Sequence, residues 1–377
     1  MASQAIARYR LYLQQRPVIL ATLPVLAVVF FLAITGLARA HQAQRQAIGE
    51  RWFSRGISDL NAKRYDAAVT DFRAALLYSP DEYSYQLKLA EALMGEGHTG
   101  QALAYLTNLW DREPENGIVN LELARIAAQR GETDDAIRYF HNAVYSVWAA
   151  DEEGMRRNAR LELIELLLRI HDKAQAQGEL IALAANVGPD PVQQERIAEL
   201  FLRAEDYRHA LAAFNAVLKS DRHNGAALAG AGRAAFELGQ YRVAQQFLQS
   251  AVASDANDTA SAERLKTTQL VLHMDPFRRQ IPVAERDRIV VEAFQAAGDR
   301  LKTCKLPAVT SAQPSLSNKW EQLKSQITAP GLRRNPDLAE TAMDLVFRIE
   351  RETSTACGTP TGTDLALLLI SKMHEGS

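Results

Sequence analysis

The eight histidines are the residues in this chain best suited to hold a metal or move a proton near neutral pH. They are His41, His98, His141, His171, His209, His223, His273 and His374. No two stand four residues apart, so no helix offers a pair to one cation, and no HExxH occurs. The two cysteines, Cys304 and Cys357, lie in no CxxC, which excludes a zinc ribbon or haem attachment built on them. Two acid pairs, Asp134 with Asp135 and Glu152 with Glu153, fall beside turns, where carboxylates serve as solvated charges. "GAGRAA" at Gly230–Ala235 matches GxGxxA, yet no strand pattern precedes it. Neither GxxxxGK[ST] nor GxSxG is present. The reading is a chain that is not an enzyme and needs no cofactor and no metal. Catalysis stays open only as an alternative, an envelope-biogenesis enzyme using the C-terminal segment around Cys357–Asp364.

Composition narrows the partners. The 377 residues are 47% apolar and 23% charged, with 43 Lys plus Arg against 45 Asp plus Glu. A net charge of -2 without a long basic run argues against a nucleic-acid binder, which must displace counterions from phosphates. Residues 17–38, "PVILATLPVLAVVFFLAITGLA", contain no charge and are long enough for one membrane span. Arg8, Arg10 and Arg16 precede this run, and Arg39, Arg45 and Arg51 follow it. The flanking charges tie. The short tail at 1–16 nevertheless favours staying inside, because long domains translocate largely regardless of charge. The expected location is a bacterial-type inner membrane, crossed once, with the N-terminus cytoplasmic and the remainder periplasmic. The competing expectation is a signal peptide cleaved after "ARA", Ala38–Ala40.

The elements that must position any site are helices. Ala68 recurs as Ala102, Ala136, Ala176, Ala210 and Ala244, at steps of 34, 34, 40, 34 and 34. Four residues after each comes a large apolar residue: Phe72, Leu106, Phe140, Leu180, Phe214 and Leu248. Twelve before each is usually a small one: Gly56, Ala90, Ala124, Ile164, Ala198 and Gly232. Pro80 and Pro114 close the first two units, while Trp148, Gly188, Arg222 and Ala256 stand there in the others. Small residues let helices approach closely, and the large residue fills the gap beside them.

This phrase resembles the tetratricopeptide-repeat (TPR) family, whose unit is a 34-residue pair of antiparallel helices. The resemblance implies an all-α fold, a TPR-type helical-hairpin solenoid. Here it follows an N-terminal transmembrane helix and precedes a small helical C-terminal appendage. Six repeats are expected over 49–258, at 49–82, 83–116, 117–150, 157–190, 191–224 and 225–258. The six residues from Asp151 to Arg156 are an insertion, expected to form a bend or protruding loop. Residues 259–305 read as capping helices or a degenerate seventh repeat, and 306–377 as the appendage. Outside the cytosol, Cys304 and Cys357 would pair as a disulfide; two buried free thiols are the alternative.

In a stack of this family the first helix of each repeat lines an inner groove. The resemblance therefore implies a protein or peptide partner held by Phe53, Ile57, Leu87, Glu91, Leu121, Arg125, Leu161, Glu165, Glu199, Arg203, Arg233 and Phe236. At one equivalent position the charges run Glu91, Arg125, Glu165, Glu199, Arg233. Mixed sign fits a partner of patterned charge, or mutual pairing between repeats. The lysine and asparagine clamp by which some relatives hold a terminal carboxylate is absent: its positions hold Phe53, Ile57, Lys88, Ile118 and Glu122. The expected function is a membrane-anchored scaffold or adaptor, with a structural subunit of a larger membrane complex as the alternative.

Overall fold

The structure, a computed structural model, describes residues 2–148, 151–188, 190–304 and 315–374, with side chains from residue 24 onward. The fold is all-α: a helical-hairpin solenoid with no strand among the described residues. The chain divides into two compact units, Met1–Leu166 and Leu167–Ser377.

In the first unit, α1 (Ala2–Asn61) is one unbroken helix of 60 residues. It runs through the expected tail, the expected span and the first helix of the first repeat. Among its described side chains the C-terminal end packs, against α2 (Tyr65–Tyr78) and Tyr85, with burial beginning at Ile48 and Gly49. Upstream, Val25, Phe31 and Leu37 are 63%, 69% and 74% exposed. The side chains of residues 1–23, including most of the apolar run's first third, lie outside the described residues. The stack continues through α3 (Tyr83–Glu96), α4 (Thr99–Arg112), α5 (Gly117–Arg130) and α6 (Thr133–Tyr145). Helix α7 (Glu152–Arg169) then crosses the boundary between the units. Residues Glu152–Arg156, expected to bend or protrude, instead extend α7 to 18 residues. Their sequence, "EEGMR", places two acids in the first turn, where the helix dipole favours negative charge. Where the third repeat lacks its proline, Trp148 lies buried over Gly117 and donates its indole N–H to the Ala143 carbonyl at 3.1 Å.

The second unit holds α8 (Lys173–Ala184), α9 (Pro191–Arg203), α10 (Tyr207–Ser220), α11 (Gly225–Glu237), α12 (Tyr241–Ser254) and α13 (Thr259–Met274). Then come α14 (Val283–Thr303), α15 (Leu316–Lys324), α16 (Ala329–Arg334), α17 (Asp337–Cys357) and α18 (Gly362–His374). Helix α13 packs on α12 and α18, whereas α14 packs chiefly on α17. One apolar core runs from Tyr241 through Val271 and Phe294 to Ile349 and Ile370, so the C-terminal helices share a core with the end of the stack. Trp320 stacks on Phe294 and donates to its carbonyl at 2.8 Å. Cys304 and Cys357 form a disulfide with Cα atoms 6.0 Å apart, joining the ends of α14 and α17. A closed loop of this length stabilises by roughly 2–4 kcal/mol.

The hairpin turns repeat at the backbone level. One residue in each is left-handed: Lys63 (φ 57°), Gly97 (86°), Gly131 (75°), His171 (63°), Glu205 (59°) and Gly239 (71°). Their spacing is that of the alanines. The next amide reaches the carbonyl five residues back each time, from Arg64 to Asp59 (2.9 Å) through Gln240 to Ala235 (2.9 Å). This closure satisfies helix carbonyls that would otherwise lack donors. Within each hairpin the small residue of the first helix meets the large one of the second. A Cβ added to Gly56 would stand 2.7 Å from Phe72, and one added to Gly232 would stand 2.7 Å from Leu248. Ile164, the one bulky residue at this register, is fully buried.

Lys63 carries a Cβ in a conformation that suits glycine, and it is exposed and outside any ion pair among the described residues. Lys63→Gly is therefore expected to raise stability by about 1 kcal/mol in urea unfolding, and Gly97→Ala to lower it by a similar amount. A Lys63→Gly protein that unfolds earlier than the parent would contradict this account of the turn.

Candidate interaction groove

The first helices of the repeats carry the expected groove positions, and the two units present them separately. In the first unit Phe53 and Ile57 are half-buried on α1. Phe53 stacks on Tyr85 at 4.6 Å and leans on Phe72 at 5.7 Å, so its ring is fixed from beneath. Leu87 and Leu121 do not line a surface. They are only 6% and 2% exposed, because helical spacing turns both toward the hairpin core. Leu161 and Glu165 on α7 are half-buried. In the second unit Glu199 and Arg203 are exposed on α9. Arg233 and Phe236 are half-buried on α11, and Phe236 meets Tyr241 edge-on at 5.5 Å.

The charges of the first unit are spent on each other. Lys88 holds both oxygens of Glu91 at 2.8 Å, one helical turn away. Arg125 forks onto Glu162 with Nε and Nη2, at 2.9 and 2.6 Å, and reaches Glu122 with Nη1 at 2.5 Å. Burial pushes the Glu122 carboxyl up, and Arg125 opposes that shift. The hydrogen bonds from Arg125 to Glu162 hold the guanidinium firmly charged. In the second unit partial desolvation raises the Glu199 carboxyl, with the charge of Arg233 pulling the other way. Pairing within α3 neutralises Glu91, and pairing within α5 and with α7 neutralises Arg125. Sequence reasoning named Arg125 but not Glu162. The signal was available: Glu122 and Glu162 occupy the same repeat position, 40 residues apart, on either side of the six-residue insertion.

The C-terminal segment gathers a different set. Cys357 is committed to the disulfide and offers no free thiol. Glu350 on α17 is fully buried, and neither carboxylate oxygen has a hydrogen-bond partner. Desolvation, then the charge of Asp364, pushes its pKa up to about 8, against the pull of Arg300. Arg300 itself is tied to the Thr353 hydroxyl (3.4 Å) and the Gly358 carbonyl (3.1 Å). No group of three metal-ligating side chains occurs among the described residues.

Stacked helix pairs with a recurring small-over-large contact define a helical-repeat protein. The repeats are tetratricopeptide repeats: family models of that description match residues 53–97, 93–145 and 201–268. Residues 146–200, which carry the insertion and Ile164, fall outside these matches. Among solved structures, the chain is similar to Pseudomonas aeruginosa PilF at 15% identity and a TM-score of 0.41, covering 58% of this chain and 97% of that one. It is similar at 16% identity and a TM-score of 0.40 to PilW, a type IV pilus biogenesis factor, covering 59% and 98%. YrrB, a TPR protein with an unusual peptide-binding site, matches at 15% identity and a TM-score of 0.41, covering 51% and 95%. Likenesses at this level concern the helical repeat alone. No curated protein matches the sequence.

Two titrations test the geometry. Arg125→Met strands Glu122 in its buried place and is expected to cost about 2 kcal/mol, more at pH 8 than at pH 5, where Glu122 can take up a proton. Equal losses at both pH values in urea melts would remove the network from the account. For Glu350 the unfolded carboxyl ionises near 4.5 and the folded one near 8, so stability falls as pH rises through that window. Glu350→Gln is expected to abolish the fall and to be the more stable protein at pH 8 by about 2–4 kcal/mol, converging with the parent near pH 4.

Proposed function

We propose that this protein is a membrane-anchored adaptor that binds or assembles partner proteins at the outer face of a bacterial-type inner membrane. The carrying observation is the continuity of α1. One helix is long and apolar enough to cross a membrane, its described apolar residues have no protein cover, and the same helix becomes the first wall of the repeat stack. Exposed apolar side chains over such a length are costly in water and favourable in hydrocarbon. A short N-terminal segment on the cytoplasmic side and a periplasmic repeat region follow from the ease with which long domains translocate. A disulfide between Cys304 and Cys357 accords with that oxidising side.

The partner is a protein or peptide. Repeat stacks of this kind bury their own apolar faces and leave a broad inner surface for a second chain. In the first unit Phe53, Ile57 and Leu161 are partly exposed apolar contacts on the first helices, with Glu165 one helical turn beyond Leu161. In the second unit Phe236 is the partly exposed apolar contact, with Glu199, Arg203 and Arg233 on the same set of helices.

Two measurements test the reading. The full chain is expected to stay with membranes through alkaline carbonate washing, and deletion of residues 2–38 to release it. Release of the intact chain by carbonate would refute the anchor. For the groove, the swap Glu199→Arg with Arg233→Glu keeps the internal attraction but inverts the pattern offered to a partner. Crosslinked partner recovered from membranes is expected to fall several-fold in the swap. Unchanged recovery would place the binding surface elsewhere.

A further inference from the structure

The second unit contains a cleft of about 670 Å³ that lies outside the inner groove. The start of α12 forms one wall. The end of α13 and residues 275–279 form the other, and Met373 of α18 closes one end. Its size is that of a site for a small ligand or a few peptide side chains.

The charges around it can be accounted for one by one. Asp275 accepts the Phe277 amide at 2.9 Å and faces the His374 ring at 3.3 Å. Arg278 is held by Glu285 at 2.5 Å and by the Leu272 carbonyl at 3.1 Å. Arg242 and Arg279 remain. Both are exposed, and neither has an ion pair or hydrogen bond among the described residues. Glu91 and Arg125 of the expected groove are held by neighbouring charges, whereas this cleft keeps two cations without an ion pair among the described residues. The first turn of α12, which no side chain caps, adds the positive end of a helix dipole.

The apolar part is equally uneven. Tyr241 and Val271 form a buried floor. Phe277 and Val243 stand at the rim, 44% and 36% exposed. Phe277 is steadied by His374 at 4.9 Å and Phe347 at 6.3 Å, so its ring is presented in one orientation. A preset aromatic beside two unpaired guanidinium groups complements a chain that carries carboxylates on either side of an apolar side chain.

We propose that this cleft is a second binding site, specific for an acidic peptide segment with an aromatic or aliphatic anchor. The anchor packs on Phe277 and Val243, and the flanking carboxylates meet Arg242 and Arg279. The site belongs to the junction of the last repeat with the C-terminal helices and does not depend on the groove.

The test uses the full chain in detergent micelles and two fluorescein-labelled heptapeptides, DEDFEDL and its charge-reversed counterpart KRKFKRL. DEDFEDL is expected to bind, with affinity that falls as salt rises, and KRKFKRL is not. Arg242→Glu with Arg279→Glu is expected to weaken binding about tenfold or more. Phe277→Ala, at an exposed position that leaves the core intact, is expected to weaken it several-fold while preserving the salt dependence. The Glu199 and Arg233 swap is expected to leave it unchanged, which separates this site from the groove. No binding of DEDFEDL at 1 mM, equal binding of the two peptides, or indifference to the double arginine reversal would each overturn the proposal. So would capture of phosphatidylglycerol vesicles through the same arginines without capture of the peptide, since the surface would then face lipid.

Discussion

Close approach of two helix backbones is the constraint on which the stack depends. At Gly56 and Gly232 there is no room even for a methyl group beneath Phe72 and Leu248. Ala90, Ala124 and Ala198 fill the same role and are themselves fully enclosed. Once that distance is fixed, the second helix can sit in only one register, and its next turn supplies the surface for the following hairpin. Packing at such contacts is short-ranged and unforgiving, because interiors are filled to the density of crystals. The left-handed turn residue completes the constraint by returning the chain at the right angle. Three of the six turns accept a residue with a side chain there. Helix packing outweighs that local cost.

This explains why the fold was so legible. Ala68 and its five counterparts announce a period, and a period in small residues has few physical explanations other than stacked hairpins. The bounds of α14 to α17 were harder to foresee, since nothing in those segments repeats and α16 has only six residues. The insertion misled because a break in period was read as a break in structure. "EEGMR" carries good helix starters and simply lengthened α7. The expected groove positions stand on the first helices of the hairpins, but their burial was not legible. Leu87 and Leu121 belong to those positions, yet both are buried. Nor does a single charge series reveal that Arg125 turns toward Glu162.

The two units distribute their polar groups by a simple economy. The carboxylate of buried Glu122 faces Arg125, and that of Glu199, an exposed residue, lies in the field of Arg233. Glu350 faces no hydrogen-bond donor and keeps its proton near neutral pH. At the rim of the terminal cleft, water can solvate Arg242 and Arg279 at little cost until something displaces it. Buried charge here serves architecture, and the exposed unpaired charge is where the proposed acidic segment would bind.

The unbroken course of α1 also sets a bearing. A helix advances about 1.5 Å and turns about 100° with each residue, so the face that its packed end presents to α2 is indexed to the residue count from the apolar stretch. Ten residues, most of them exposed, separate Ala38 from Gly49. One residue added among them would swing the whole first unit about a third of a circle around the helix axis, while seven would lift it by about 10 Å and return nearly the same heading. In the anchored arrangement proposed above, the length of that segment would act as a compass setting, choosing which side of the packed helices looks along the membrane and which looks away from it.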